Sequence, residues 1–209
     1  MTIQILNMEQ GSAEWFAARL GIPTASCFAD VISKGKGGAE SARRRTYMLK
    51  ILAERITKEL PENYNNEHMQ RGHEDEPEAR NAYRFITGNK VQEVGFIIDN
   101  VLKAGFSPDG LVEDEGIIEI KSKLPHLHLD CLLKDKMPAE HVAQVQGGLL
   151  VSGRQWCDYI GYTRGRNLPL FVKRVERDEK MITKIRDAIK VFNSDLLTLE
   201  STVKEMRDV

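Results

Sequence analysis

The stretch that decides the fold class is VLKAGFSPDGLVEDEGIIEIKSK, which covers residues 101–123. Its apolar residues come in short groups bounded by Gly, Pro and Asp, a pattern typical of β-strands joined by tight turns. Together with VQEVGFIID, which precedes it, the stretch predicts a run of strands with turns at Asp99-Asn100 and near Gly116. The predicted strands cover residues 91–99, 101–106, 111–116 and 116–123.

Helices are predicted on both sides of these strands. Residues 41–60 carry apolar side chains at every fourth position from Met48 to Leu60, the spacing of one helix face, and Pro61 ends the pattern. Further helices are expected in 12–33 (two short ones), 69–87, 138–151 and 178–206, and further strands at 157–163 and 169–175. The interleaved elements predict a single α/β domain over residues 1–209, with a central mixed β-sheet flanked by helices.

Composition limits the classes of function. The 209 residues include 30 basic and 31 acidic side chains, a net charge of −1, which excludes a strongly basic coat but not a local basic groove. No apolar run approaches the roughly 18 residues of a membrane helix, and MTIQILNMEQ at the N-terminus lacks the pattern of a signal peptide. Three cysteines without a CxxC pair favour a reducing compartment, so we expect a soluble cytoplasmic protein without membrane association.

The densest chemical signal is Asp109 followed by Glu119, Ile120 and Lys121. In a strand, residues two apart share a face, so Glu119 and Lys121 are expected to point the same way, with Asp109 nearby at the end of the preceding strand. Two carboxylates and a backbone carbonyl form an oxygen site suited to Mg²⁺ or Mn²⁺, and an adjacent ammonium can position water at a phosphate. The spacing alone is equally compatible with a solvated hairpin that carries a cross-strand charge pair.

Five motifs of the chain together carry a family resemblance. SPDG (107–110) followed by IEIK (118–121) resembles the PD-(D/E)xK nuclease superfamily and, within it, the lambda exonuclease family of phage recombination nucleases. The other motifs occur in the same order as in that family: RLGIPTAS (19–26), RGHEDEPEAR (71–80), AEHVAQVQ (139–146) and VERDEK (175–180). The resemblance therefore covers most of the chain and implies a PD-(D/E)xK nuclease-like core.

The resemblance implies a role for each matching residue. At the metal, it implies that Asp109 and Glu119 are ligands together with the Ile120 carbonyl, and that Glu76 completes the acidic site. At the reacting phosphate, it implies that Lys121 assists the water and that Gln144 orients the substrate and Lys121. For the DNA end, it implies Arg19 and Ser26 at a 5′-phosphate, Ser107 beside the metal, and Met69 as an apolar wedge that opens the last base pair. Pro77, directly after Glu76, departs from the family pattern and makes the role of Glu76 the least direct of these.

The family also implies an activity and partners. Its members are magnesium-dependent, processive 5′→3′ exonucleases that act on ends of linear double-stranded DNA, release 5′-mononucleotides and leave 3′ single-stranded overhangs. They form ring-shaped homotrimers and act beside a single-strand annealing protein, and the resemblance implies a phage- or prophage-encoded protein in the cytoplasm of the bacterial host. Two alternatives stay open: an endonuclease or resolvase of the same superfamily, and a DNA-end-binding protein without catalytic activity.

Several of these residues also have a plain structural interpretation. Glu76 lies in an acidic cluster that would favour a helix start through the helix dipole alone. Gln144 lies off the apolar face of its helix, as a surface glutamine would, and Met69 could fill a core. Arg19 follows Trp15 by four residues and could simply stack on its indole ring.

Overall fold

A computed structural model describes residues 3–59, 67–165 and 167–207, without the side chains of residues 67–70, 73 and 207. The described chain has a mixed α/β fold, as predicted. The helices are α1 Ala13–Arg19, α2 Phe28–Val31, α3 Ala42–Thr57, α4 Glu67–Thr87, α5 Pro125–Lys134, α6 Val142–Ser152 and α7 Glu179–Arg207. The strands are β1 Ile3–Leu6, β2 Val91–Gln92, β3 Phe96–Asp99, β4 Ala104–Phe106, β5 Gly110–Val112, β6 Gly116–Ser122, β7 Trp156–Tyr162 and β8 Phe171–Glu176.

The central sheet has five strands in the order β2-β5-β6-β7-β8, so the strand that carries Glu119 and Lys121 is its middle one. β6 and β7 are parallel, whereas the other neighbours are antiparallel, which makes the sheet mixed as predicted. Parallel strands need a long crossover, and here α5 and α6 supply it. In register, Glu119 faces Tyr159 of β7, and Gly110 of β5 faces Ile118.

Both faces of β6 are covered, as its run of apolar residues requires. Ile118 and Ile120 pack with Ala79 and Tyr83 of α4 on one face. On the other face Ile117 belongs to the larger core, to which α6 contributes several buried side chains. Glu119 lies on this second face, below α6, so its carboxylate is enclosed rather than solvated. The solvated hairpin with a cross-strand charge pair is therefore wrong.

The prediction of a single strand over 91–99 is wrong, because the chain changes sheets within it. Residues 91–92 join the central sheet, whereas 96–99 join a second, three-stranded sheet of order β1-β3-β4. At the crossing point, a side chain at Gly95 would overlap Met8. The predicted strand over 101–106 is shorter as well: Asp99 Oδ1 accepts the backbone N–H groups of residues 101 and 102 at 3.0 Å, so a turn occupies the first part.

The helices differ from the prediction at one main point. α4 covers the predicted residues 69–87 and runs continuously through Pro77. α5 was not predicted, because it is only 10 residues long and several of its leucines are exposed instead of lining one buried face. Within the described residues, no helix combines the length and the apolar character needed to cross a membrane.

Candidate active site

Asp109 directly precedes β5 and reaches β6 across the pairing of these two strands. We expected it at the end of the strand before it, but β4 ends at Phe106, and Pro108, which cannot donate a ladder hydrogen bond, lies between. The antiparallel register brings Asp109 alongside Glu119 and Ile120. Asp109 Oδ2 accepts the backbone N–H of Ile120 at 2.5 Å, which fixes the carboxylate at the edge of the site.

Glu119 is the best-anchored carboxylate of the site. Its side chain is only 3% exposed, and its Oε1 lies 2.6 Å from Lys121 Nζ and accepts Gln144 Nε2 at 2.5 Å. The interpretation of Gln144 as an ordinary surface glutamine is therefore wrong. The second oxygen, Oε2, is buried without a hydrogen-bond partner in the described part of the chain. A buried carboxylate oxygen without a partner is costly, so a ligand is expected there.

The charges of the site reinforce that expectation. Burial raises the pKa of Asp109 well above its ordinary value, and the carboxylates of Glu119 and Glu76 raise it further. Burial would lower the pKa of Lys121, but Glu119 and Asp109 outweigh this effect and raise it, which keeps the ammonium charged. One ammonium thus faces two close carboxylates, an excess of negative charge that a cation would relieve.

A divalent cation fits these groups. No cluster of three or more His, Cys, Asp or Glu side chains forms a ready metal cage among residues 3–59, 67–165 and 167–207. Mg²⁺ does not need such a cage, because it usually keeps several waters and binds through one or two carboxylates together with substrate phosphates. Asp109 and the unpartnered Oε2 of Glu119 supply that donor set, and the Ile120 carbonyl stays a predicted third ligand.

Glu76 reaches the site from α4, but in the structure it is bound to Arg80. Arg80 is nearly buried and bridges three groups: the carboxylate of Glu76, Glu93 Oε2 at 2.8 Å, and the Asp109 carbonyl oxygen at 2.9 Å. Sequence reasoning missed Arg80, although its position four residues after Glu76 in RGHEDEPEAR predicted a pair on one helix face. These residues line a cavity of about 320 Å³ beside Asp109.

Arg19 joins the site through Ser107. Its Nη1 donates to Ser107 Oγ at 2.7 Å, and Trp15 Nε1 donates to the same oxygen at 3.0 Å. The guanidinium also lies 4.1 Å from the centre of a Trp15 ring, so the predicted stacking is present as well. Ser107 lies two residues before Asp109, so this contact places the Arg19 guanidinium beside the segment that carries Asp109.

Ser26 is connected to the site only through neighbouring segments, and the side chain of Met69 is not described. Ser26 is exposed within a short 3₁₀ turn, Ala25–Cys27, and its Oγ lies 3.3 Å from Thr24 Oγ1. Thr24 pairs with Gly105, so the turn lies alongside the segment that leads to Ser107. Met69 belongs to α4, but its side chain lies outside the described residues.

The chain is similar to known proteins in both sequence and structure. A family model described as a YqaJ-like viral recombinase domain matches residues 14–155, which include Arg19, Glu76, Asp109, Glu119 and Gln144. No curated protein sequence matches at a significant level. VERDEK at 175–180 lies outside the matched range.

Two solved structures of one protein are similar over nearly the whole chain. The alkaline exonuclease LHK-Exo from Laribacter hongkongensis is 37% identical, with a TM-score of 0.85 over 94% of this chain and 98% of that chain. The values are the same for its complex with dAMP. A phage-related exonuclease from Haemophilus somnus 129PT, 14% identical, shares the fold with a TM-score of 0.70 over 88% of this chain and 96% of that one.

Proposed function

The chain belongs to the family of YqaJ-like viral recombinase domains, and from this premise we propose that it is a magnesium-dependent exonuclease of the lambda exonuclease type. Its similarity to an alkaline exonuclease at 37% identity supports the class of reaction. The observation that carries the proposal is the arrangement around Glu119: one oxygen is held by Lys121 and Gln144, and the other is buried without a hydrogen-bond partner among the described residues.

Each polar group of the site has a defined task in phosphodiester hydrolysis. Asp109 and Glu119 would hold Mg²⁺, with Mn²⁺ as a substitute, and the bound ion would supply an acidified water and neutralise charge on the phosphate. Lys121 points from the same face of β6, so its ammonium can orient that water and stabilise the negative charge that develops on the phosphate oxygens. Gln144 keeps the Glu119 carboxylate in one orientation, and Arg80 holds Glu76 beside Asp109.

The direction of digestion is proposed from the cationic end of the site. A terminal 5′-phosphate would bind Arg19 near Ser107, with Ser26 close by, because a guanidinium binds phosphate oxygens with two parallel hydrogen bonds. The scissile phosphate would then lie at Asp109 and Glu119, so that hydrolysis removes 5′-mononucleotides and leaves a 3′ overhang. Met69 would act as the wedge that separates the last base pair.

Processivity and partners complete the proposal. A net charge of −1 offers little non-specific attraction to DNA, so continued digestion requires another means of staying on the substrate. A homotrimeric ring that encloses the duplex would provide it. The 3′ overhang is the substrate of a single-strand annealing protein, which we propose as the partner in the bacterial cytoplasm.

The test uses a linear duplex with a different label at each strand end and a covalently closed circle of the same sequence. With Mg²⁺, the 5′-terminal labels should be released first as mononucleotides, while the circle stays intact; without Mg²⁺, no label should be released. Cleavage of the circle would identify an endonuclease or resolvase instead. Binding to the ends without hydrolysis under any metal condition would identify a non-catalytic end-binding protein.

A further inference from the structure

A second cavity, of about 610 Å³, adjoins the candidate active site at Lys121. Its lining includes the β6 residues from Ile120 onward but neither Asp109 nor Glu119. Arg71 of α4 and His141, just before α6, form other parts of the wall. The cavity therefore continues the site along β6, toward the C-terminal end of that strand.

Two cations in this cavity are available for an anion. The backbone N–H of Lys123 donates to the backbone carbonyl oxygen of Tyr162 at 2.8 Å, which extends the pairing of β6 with β7. Lys121 and Lys123 therefore share a face of the strand, about 6.5 Å apart along it. Arg71 donates its Nε to Ser122 Oγ at 3.1 Å, which leaves its two terminal nitrogens for another group. Neither Lys123 nor Arg71 has a carboxylate partner in the part of the chain that the structure describes.

His141 adds a buried polar atom to the wall of the cavity. Its ring is stacked on Tyr159 with 5.3 Å between centroids, and its Nε2 is buried without a hydrogen bond among the described residues. Burial, together with the charges of Lys121 and Lys123, lowers the pKa of His141 to about 3, so the ring is neutral at physiological pH. The carboxylate in the lining belongs to Glu140, whose Oε1 lies 3.4 Å from His141 Nε2; the Glu140 side chain is 73% exposed at the rim, where it can turn into solvent.

We propose that this cavity binds the nucleotide that follows the scissile bond in the digested strand, with Lys123 and Arg71 contacting its 3′-phosphate. The inference rests on the proposed function, because it assumes that the scissile phosphate lies next to Lys121. Side chains two apart on a strand are separated by a distance comparable to that between successive phosphates, so a nucleic-acid strand that follows β6 presents its next phosphate at Lys123. The exposed Leu124 and Leu127 offer an apolar surface to the sugar and base.

The experiment measures release of the first nucleotide from a 5′-phosphorylated duplex under single-turnover conditions with Mg²⁺. One substrate carries an uncharged methylphosphonate at the second linkage, directly 3′ of the first scissile one, and a control substrate carries it well inside the duplex. The proteins are the wild type, Lys123→Gln, Arg71→Gln, and Lys190→Gln as the matched control. Lys190 is an exposed lysine of α7 outside the cavity lining.

The neutral second linkage should slow the wild type and Lys190→Gln by roughly ten- to a hundredfold, because both cations lose a charge-assisted contact with that phosphate. Lys123→Gln and Arg71→Gln should each be slower on the unmodified duplex and clearly less sensitive to the modification than the wild type, because one of the two contacts is already absent. A wild type that is active but indifferent to the second linkage would overturn the inference and leave the exonuclease proposal intact. Lys123→Gln and Arg71→Gln variants that are slowed by the neutral second linkage as much as the wild type would also overturn the inference. A wild type that releases no nucleotide would contradict the exonuclease proposal itself.

Discussion

Replacing Gln144 by methionine isolates the contact that orients the Glu119 carboxylate. Methionine has nearly the same length and volume as glutamine but cannot donate a hydrogen bond, so the packing of α6 is kept. In the variant, Glu119 Oε1 loses the Nε2 donor at 2.5 Å and keeps Lys121 Nζ at 2.6 Å. The carboxylate can then rotate, and its Oε2 is no longer held in one position.

The size of the effect follows from the type of contact. A hydrogen bond to a charged group contributes about 1.5–3 kcal/mol, and each 1.4 kcal/mol corresponds to about a factor of ten. Groups that orient a metal ligand typically change metal affinity or activity by about 10–100-fold when they are removed. We therefore expect Gln144→Met to lower the single-turnover rate on linear duplex or raise the Mg²⁺ concentration for half-maximal rate by about that factor.

The matched control is Gln146→Met, two residues further along the same helix. Gln146 donates to the Glu176 carbonyl at 2.8 Å and accepts the Asp178 N–H at 2.9 Å, so it joins α6 to the start of α7 without touching the site. Its loss should lower the free energy of unfolding by about 2 kcal/mol, roughly 1 kcal/mol for each bond, with an unchanged Mg²⁺ dependence.

The assay is a Mg²⁺ titration of nucleotide release, with urea denaturation of the same proteins to measure stability. If Gln144→Met keeps the wild-type rate and the wild-type Mg²⁺ midpoint, the orientation of Glu119 does not depend on Gln144 and the reasoning is refuted. If Gln146→Met shifts the Mg²⁺ midpoint as strongly, the effect arises from α6 as a whole.

Three further outcomes are expected. Because the pKa of Asp109 is raised, the folded protein holds the proton of this carboxyl more tightly than the unfolded chain does. In metal-free buffer, the free energy of unfolding should therefore fall as pH rises through the folded-state pKa of Asp109. Urea titrations should show that Asp109→Asn removes this fall. A side chain at Gly147 would overlap the Phe28 ring, so Gly147→Ala should destabilise the protein by about 1–3 kcal/mol in urea denaturation, and a wild-type stability would show that α6 can shift. The wild type should digest 5′-phosphorylated duplex about 10–100-fold faster than 5′-hydroxyl duplex, and Arg19→Ala should remove most of the difference in initial rate. A variant that keeps the discrimination would show that Arg19 does not bind the phosphate and would favour a structural role through its contacts with Trp15 and Ser107.

The sequence was most informative about the fold where a local pattern of apolar and turn residues determines the structure. The strand that carries Glu119 and Lys121, its mixed sheet and the helix before Pro61 follow from apolar periodicity and turn residues. The family resemblance, carried by five ordered motifs, is confirmed by the match over residues 14–155. The spacing of Glu119 and Lys121 was enough to place both on one face, because alternation in a strand is a local property.

Contacts between distant segments were not accessible to the same reasoning. Gln144 is 25 residues from Glu119, and only the crossover through α5 and α6 brings the two together. Likewise, residues 91–99 divide between two sheets at the point where Gly95 packs against Met8, a contact that no local pattern encodes. Arg80 is part of the motif RGHEDEPEAR, but its hydrogen bond to the Asp109 carbonyl arises from the packing of α4 on the central sheet.

The most direct test of the account compares the wild type with Glu119→Gln at saturating Mg²⁺, on a linear duplex with a labelled 5′ end. The variant keeps the shape of the side chain but replaces the negative charge that would bind the metal. We predict that the wild type releases the labelled 5′-mononucleotide, and that the variant binds the duplex end with similar affinity but releases none. Release by Glu119→Gln at the wild-type rate would contradict the assignment of this carboxylate to the reaction.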